Sequence, residues 1–245
     1  MNSNFFAIYD TLTDCVSSRD TVLSAKNGAY WAMVETERST GIAMNVSGES
    51  IRPMFPGGLC GHSLKEAAQA AKSWNLTEAG LGLAAANAAL NTPERLESLG
   101  CYEPFENYCT AGLDFTGKTV AMIGHMHGTE EMRRLSKAIY IIEREPQPGD
   151  YPDSACDYLL PQCDIVLITG STLVNKTLPH LLELCQNSCT ILTGPTVPMC
   201  PELLEHGIDR LAGLVLENRE AIRAQVLGNR PGSPYFCGRP FLLKR

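Results

Sequence analysis

The sequence contains no Cys-x-x-Cys pair, although it has ten cysteines in 245 residues. That excludes zinc-knuckle spacing. The tightest pair, Cys185 and Cys189, falls between the end of a predicted helix and the start of a predicted strand. No run approaches the ~18 apolar residues that a membrane span needs. The amino terminus, MNSNFFAIYDTLTDCVSS, has no basic start followed by a long apolar stretch, so it does not read as a secretory signal. No block of like charge is long enough for an interaction tail, and a net charge of −7 argues against nucleic acid and anionic membranes as partners. Neither G-x-G-x-x-G nor a P-loop lysine pattern occurs. What remains is a cytoplasmic globular protein, 44% hydrophobic and 19% charged, whose thiols are expected reduced and mostly buried as small hydrophobes.

Two halves differ in pattern. Phe5, Ile8, Tyr9, Leu12 and Val16 recur at helical spacing and predict an opening amphipathic helix. AYWAMVE and GIAMNV read as strands joined at Ser39-Thr40-Gly41. Ser63 with Glu66 forms a capping box, predicting a helix from Leu64 to about Ser73. A second, alanine-rich helix follows Thr77. From Gly117 on, KTVAMIG, AIYIIE, CDIVLITG, CTILTG and RLAGLVL alternate with amphipathic stretches. Uniformly apolar strands alternating with helices predict a parallel sheet covered on both faces, in a Rossmann-like α/β domain. The boundary falls within CYEPFENYCTAGLDFTG, giving an α+β domain over 1–110 and a Rossmann-like domain over 111–245. GNRPGSPYFCGRPFLLKR reads as an irregular arm, which fits a homodimer.

Ligands of such sheets bind at the carboxyl ends of the strands. The four ends, Gly124-His125, Glu143-Arg144, Thr169-Gly170-Ser171 and Thr193-Gly194-Pro195, are therefore expected to line one crevice. After MIGHMHG, residues 122–128, Glu130 and Glu131 of the first helical turn occupy the place of a pyrophosphate, which disfavours phosphate cradling. Glu143 lies 19 residues after Gly124, near the offset at which an acid binds ribose hydroxyls. This leaves two readings: an adenosine-type ligand such as S-adenosylmethionine, or a solvated strand-end carboxylate.

His125 and His127 share the alternating spacing of Cys60 and His62. Two loops facing each other would gather four metal ligands; alternatively, His125 acts alone in binding or proton transfer. PGGLCGHS, with Gly57, Gly58 and Gly61, offers backbone N–H groups to an anion or simply needs positive φ. Thr169, Ser171, Thr172, Asn175 and Thr177 supply more hydroxyls and amides than capping needs, with Thr177 as the helix cap. Asn87, amid alanines, reaches a cleft or bonds to backbone.

TVAMIGHMHG, AIYIIEREPQPGDYP, LLPQCDIVLITGSTLVNKTL and CTILTGPTVPMCPELLEHGID resemble, in order, the second domain of the bacterial and archaeal "putative heavy-metal chelation" family. NGAYWAMVE, GGLCG and GLAAANAAL are similar to its enolase-amino-terminal-like first domain, so the likeness spans residues 5 to 228. The resemblance implies a ligand site between the domains. Its matching positions are Gly57, Gly58, Gly61, Asn87, Gly124, His125, Glu143, Thr169, Gly170, Asn175, Thr177, Gly194 and Pro195, while His127 and Cys60 stand outside the pattern. The leading expectation is a small organic ligand in the interdomain cleft: a chelator, its precursor or a metal chelate. His125 would transfer protons and Glu143 would bind a ligand hydroxyl or amine. The rivals are direct metal binding through His and Cys side chains, and an S-adenosylmethionine-type transferase. The sequence leaves the identity of any metal or cofactor open.

Overall fold

The structure is a computed structural model that describes residues 6–17, 19–49, 51–105, 110–229 and 232–245. Phe5 of the opening helix lies outside these residues, as do 106–109 of the predicted boundary and 230–231 of the arm.

The predicted hairpin is part of a three-stranded antiparallel sheet, β1 (Ser24–Asn27), β2 (Trp31–Glu35) and β3 (Thr40–Met44). The strand β1, SAKN, lacks the apolar alternation that would have marked it. Both faces of this sheet are covered. Ala32, Val34 and Ala43 join the main core, together with the alanines of a long helix over Leu76–Leu90. Trp31, Met33 and Ile42 pack on the other face against Leu214, Leu216, Ile222 and Val226 from the second half. Double coverage explains why AYWAMVE does not alternate.

The helices of the first half are α1 (Ala7–Asp14), α2 (Leu64–Ala68), α3 (Leu76–Leu90) and α4 (Pro93–Leu99). The Ser63/Glu66 capping box forms as predicted, and α2 tightens to a 3-10 turn over Gln69–Lys72. The cap of α3 is Asn75, not a residue at Thr77. Helix α4, with Thr92 as cap and Pro93 in its first turn, was not legible in advance. The small residues of α3 have a cause: a Cβ on Gly41 of β3 would collide with the backbone of Ala84 and Ala88. Any larger side chains there would push the helix off the sheet.

The large sheet has the order β10-β9-β8-β7-β4-β5-β6. Its strands are β4 (Thr119–Ile123), β5 (Ala138–Glu143), β6 (Tyr151–Pro152), β7 (Ile165–Thr169), β8 (Cys189–Thr193), β9 (Arg210–Leu216) and β10 (Gly238–Lys244). All pairs are parallel except β9 with β10. The fold is thus α/β, with a Rossmann-like sheet beside a small antiparallel one. Counted from β4, the order is 3-2-1-4-5-6 with one added edge strand. Its switch point lies between β4 and β7, where such sheets open a crevice. The final seven-residue strand corrects the expectation of an irregular arm: Phe241 and Leu242 are buried against β9, and burial overrides the Pro and Gly content.

The connecting helices are α5 (Thr129–Leu135), α6 (Cys156–Leu159), α7 (Ser171–Val174), α8 (Leu178–Leu184) and α9 (Arg219–Leu227). PELLEH forms a 3-10 helix instead of an α-helix. Helix α9 belongs to the second half in sequence yet covers the first half's sheet. There Arg223 donates from Nε and Nη2 to Glu35 Oε1 at 3.0 and 2.6 Å. Among the described residues, no helix is long and apolar enough to cross a membrane.

Candidate functional site

The loop after β8 is where the two halves lock together. Asn87 of α3 donates to the carbonyls of Ile42 (2.8 Å) and Thr196 (3.0 Å). Asn91 donates to those of Val197 (2.9 Å) and Leu214 (3.1 Å) and accepts the Met199 N–H at 2.6 Å. Met44 N–H reaches Thr196 Oγ1 at 2.8 Å. Both amides are buried, so these bonds form in a low dielectric and hold Gly194-Pro195 at a fixed distance from the hairpin.

The strand ends do converge, but on two chambers and not one. The first, of ≈ 220 Å³, runs between the sheets: Trp31 and Met44 of the hairpin face His125, Thr193, Gly194 and Tyr235. The second, of ≈ 280 Å³, has an apolar floor that includes Ile142 and Leu181 and carries the charged side chains Glu143, Arg144, Asp153 and Asp157 beside Gly124, Asn175 and Thr177. Thr169 lines both. Between them Gly124 adopts φ +93°, where a Cβ would lie 3.1 Å from Thr169 Cγ2. A side chain at this position is disfavoured by the backbone as well as by Thr169.

Within the loop after β4, His125 is held at both ends. Its N–H donates to Glu143 Oε1 at 2.9 Å, and its Nε2 lies 2.8 Å from Asp150 Oδ2. Asp150 also accepts the Gln147 N–H at 2.8 Å, and these bonds keep its carboxyl below the usual carboxylate range. A proton on Nε2, directed at Asp150, makes Nδ1 the acceptor. His127 takes a different role, packing edge-on against Phe105 and Tyr235 at 5.8 Å from each ring.

Several predicted site residues are placed elsewhere. Gly57, Gly58 and Gly61 line neither chamber. The Gly58 and Gly61 N–H groups are bonded to the Phe55 and Val22 carbonyls, and Ser63 N–H to Glu66, so these three donors are already taken within the loop. Glu78 anchors it by accepting the Met54 and Phe55 N–H groups at 2.7 Å each. Asn87 lies beneath the crevice as a clamp, outside its lining. Gly170 likewise lines neither chamber; a Cβ there would lie 2.9 Å from Val197 Cγ2. Thr177 stands at the start of α8 but does not cap it: its hydroxyl donates to Asn175 Oδ1 at 2.6 Å, an acceptor that also takes the Thr177 N–H.

The four-ligand metal set fails as well. His62 packs on Phe55 at 5.1 Å, Cys60 is exposed, and among the described residues neither meets His125 or His127 in a ligating group. Sequence reasoning missed Trp31, Met44 and Tyr235, whose local patterns are those of ordinary core and loop residues. It also missed the carboxylates Asp150, Asp153 and Asp157, for which the PGDYPDSACD stretch carried a cue in its acid spacing after β5.

Two family models, both described as "Putative heavy-metal chelation", match the chain over residues 9–90 and 112–236. An uncharacterized protein of Methanocaldococcus jannaschii is 33% identical over 158 residues, which make up 61% of this chain and 59% of that protein, so the chain spans less than two thirds of that relative. A crystal structure of a protein of unknown function from Desulfitobacterium hafniense superposes with a TM-score of 0.89 at 31% identity, covering 100% of this chain and 99% of that one. One from Pyrococcus horikoshii superposes with a TM-score of 0.78 at 21% identity, covering 98% and 99%, a likeness of fold.

Proposed function

Because the chain belongs to the family described as "Putative heavy-metal chelation", we propose that it binds or modifies a small organic chelator, its precursor or its metal complex in the crevice between the two sheets. On this reading the chain comprises an enolase-amino-terminal-like unit over 1–110 and a Rossmann-like unit over 111–245, in a cytoplasmic homodimer. The observation that carries this reading is the shared wall at Thr169: a chamber edged by Trp31 and Met44 adjoins one that carries the carboxylates of Glu143, Asp153 and Asp157. A ligand with an apolar body and amine or hydroxyl arms matches that division. Glu143 receives a donor of the ligand, and His125, oriented by Asp150, is the group that exchanges a proton with it. Any metal in this crevice arrives as part of the ligand.

Calorimetry of the full chain with amino- and hydroxy-bearing chelators, free and as Ni²⁺ or Zn²⁺ complexes, tests the reading. Binding that weakens by roughly 1–3 kcal/mol in Glu143→Ala, the worth of hydrogen bonds to a charged partner, supports it. Binding indifferent to both Glu143→Ala and His125→Ala overturns it. A second reading, an adenosine-bearing ligand, is favoured by one feature: Glu143 closes β5 at the switch-point crevice and lines its second chamber. Calorimetry with S-adenosylmethionine distinguishes the two.

A further inference from the structure

Outside the crevice, three side chains with soft or anionic donors meet where α1 ends. Cys15 Sγ, Cys200 Sγ and a Glu202 carboxylate oxygen lie within 4.8 Å of one another, and Cys200 Sγ donates to Glu202 Oε2 at 3.3 Å. None of the three lines either chamber. We propose that Cys15, Cys200 and Glu202 form a binding site for a thiophilic divalent cation of the zinc and cadmium class, independent of the organic ligand in the crevice.

The geometry suits such an ion. Tetrahedral coordination at ordinary Zn–S and Zn–O lengths separates two sulfurs by about 3.8 Å and a sulfur from an oxygen by about 3.6 Å. The three donors need only small rotations to reach those edges. Their backbones are fixed in advance. Cys200 N–H bonds to Pro198 O at 2.9 Å, and the preceding Met199 N–H is taken by the buried Asn91. Cys15 closes α1 through Thr11 O, and Thr11 Oγ1 meets His206 Nε2 at 2.8 Å, tying that helix to the 3-10 helix bearing Glu202. Glu202 is exposed and Cys200 buried, so a cation enters from solvent past the carboxylate.

Charge also balances. On binding, two thiol protons leave to solvent, so the two thiolates and one carboxylate carry −3. The dication supplies +2 and the Arg95 guanidinium, which acts electrostatically on both Cys15 and Glu202, supplies +1. Three protein donors leave a fourth position for water or an incoming ligand atom.

The test uses the reduced full chain titrated with Cd²⁺ alone, followed by thiolate-to-cadmium charge-transfer absorption, with Cys60→Ser as background for the exposed thiol. The expected result is saturation at one Cd²⁺ per chain, retained in Cys60→Ser and lost in Cys15→Ser. Glu202→Gln should weaken binding by about 10- to 100-fold, at least the loss typical of removing a supporting group at a metal site. Because Cys15 and Glu202 are not fully buried, these variants keep the test valid if Cys200→Ser fails to fold. Absence of one-to-one binding, or an unchanged isotherm in Cys15→Ser, overturns the proposal. Either result leaves the crevice reading intact, since no chelator is present.

Discussion

His125 Nε2 and the Gln147 N–H converge on one oxygen of Asp150, each at 2.8 Å. That oxygen fixes the ring that edges the crevice to the turn after β5. Folding lowers the Asp150 pKa, first through the Gln147 N–H and then through His125. The contribution to stability is therefore complete above the ordinary aspartate value of about 4 and is lost as pH falls through the depressed folded value. The His125–Asp150 link should persist at pH 5 and release in stronger acid. NMR of the His125 ring and Gln147 amide across this range checks it; Asp150→Asn should abolish the transition.

Gly124→Ala should destabilise the protein by about 1–3 kcal/mol, because φ +93° must be kept by a residue with a Cβ beside Thr169. For a chain of this size that corresponds to a melting point lower by roughly 2–12 °C. A scanning-calorimetry shift of less than a degree would contradict the tight contact.

Removing the Asn91 amide should cost more. Asn91→Ala strips partners from the Val197 and Leu214 carbonyls and the Met199 N–H. At about 1–3 kcal/mol for each group left unsatisfied, a loss of about 3 kcal/mol or more is expected. Urea denaturation gives the value, and hydrogen exchange should show residues 194–200 loosened first.

Lys176 makes stability depend on alkaline pH. Burial lowers its pKa to about 8, while its Nζ bonds to Val174 O at 2.9 Å and lies 5.2 Å from the Tyr9 ring centre. The folded pKa is below the unfolded one, near 10.4, so the charged form is a penalty felt in full below pH 8. Stability from this group should rise as pH climbs from about 8 towards 10. Lys176→Met should be more stable at pH 7 and lose that rise; melting curves at pH 7 and pH 9 for both proteins decide it.

The central strands of the second half, β4, β5, β7, β8 and β9, were readable from the chain alone, AIYIIE and RLAGLVL matching β5 and β9 residue for residue. A strand covered on both faces must be apolar throughout, and that requirement is written locally. The Ser63/Glu66 cap was readable for the same reason, since its partners are three residues apart. SAKN of β1 and GRPFLLK of β10 were not, because pairing with β2 and β9 decides their conformation.

For the site, local patterning alone determined which residues stand at strand ends: Gly124, His125, Glu143, Thr169 and Gly194 all follow from where apolar runs stop. Which of those ends share a chamber was settled by tertiary structure alone. Local periodicity says nothing of how far α3 drives the hairpin against the loop after β8, and it is there that Asn87 and Asn91 set the spacing. The same long-range packing put Trp31 and Met44 opposite His125 where the glycine loop had been expected, and brought Cys15 to Cys200 across 185 positions of sequence.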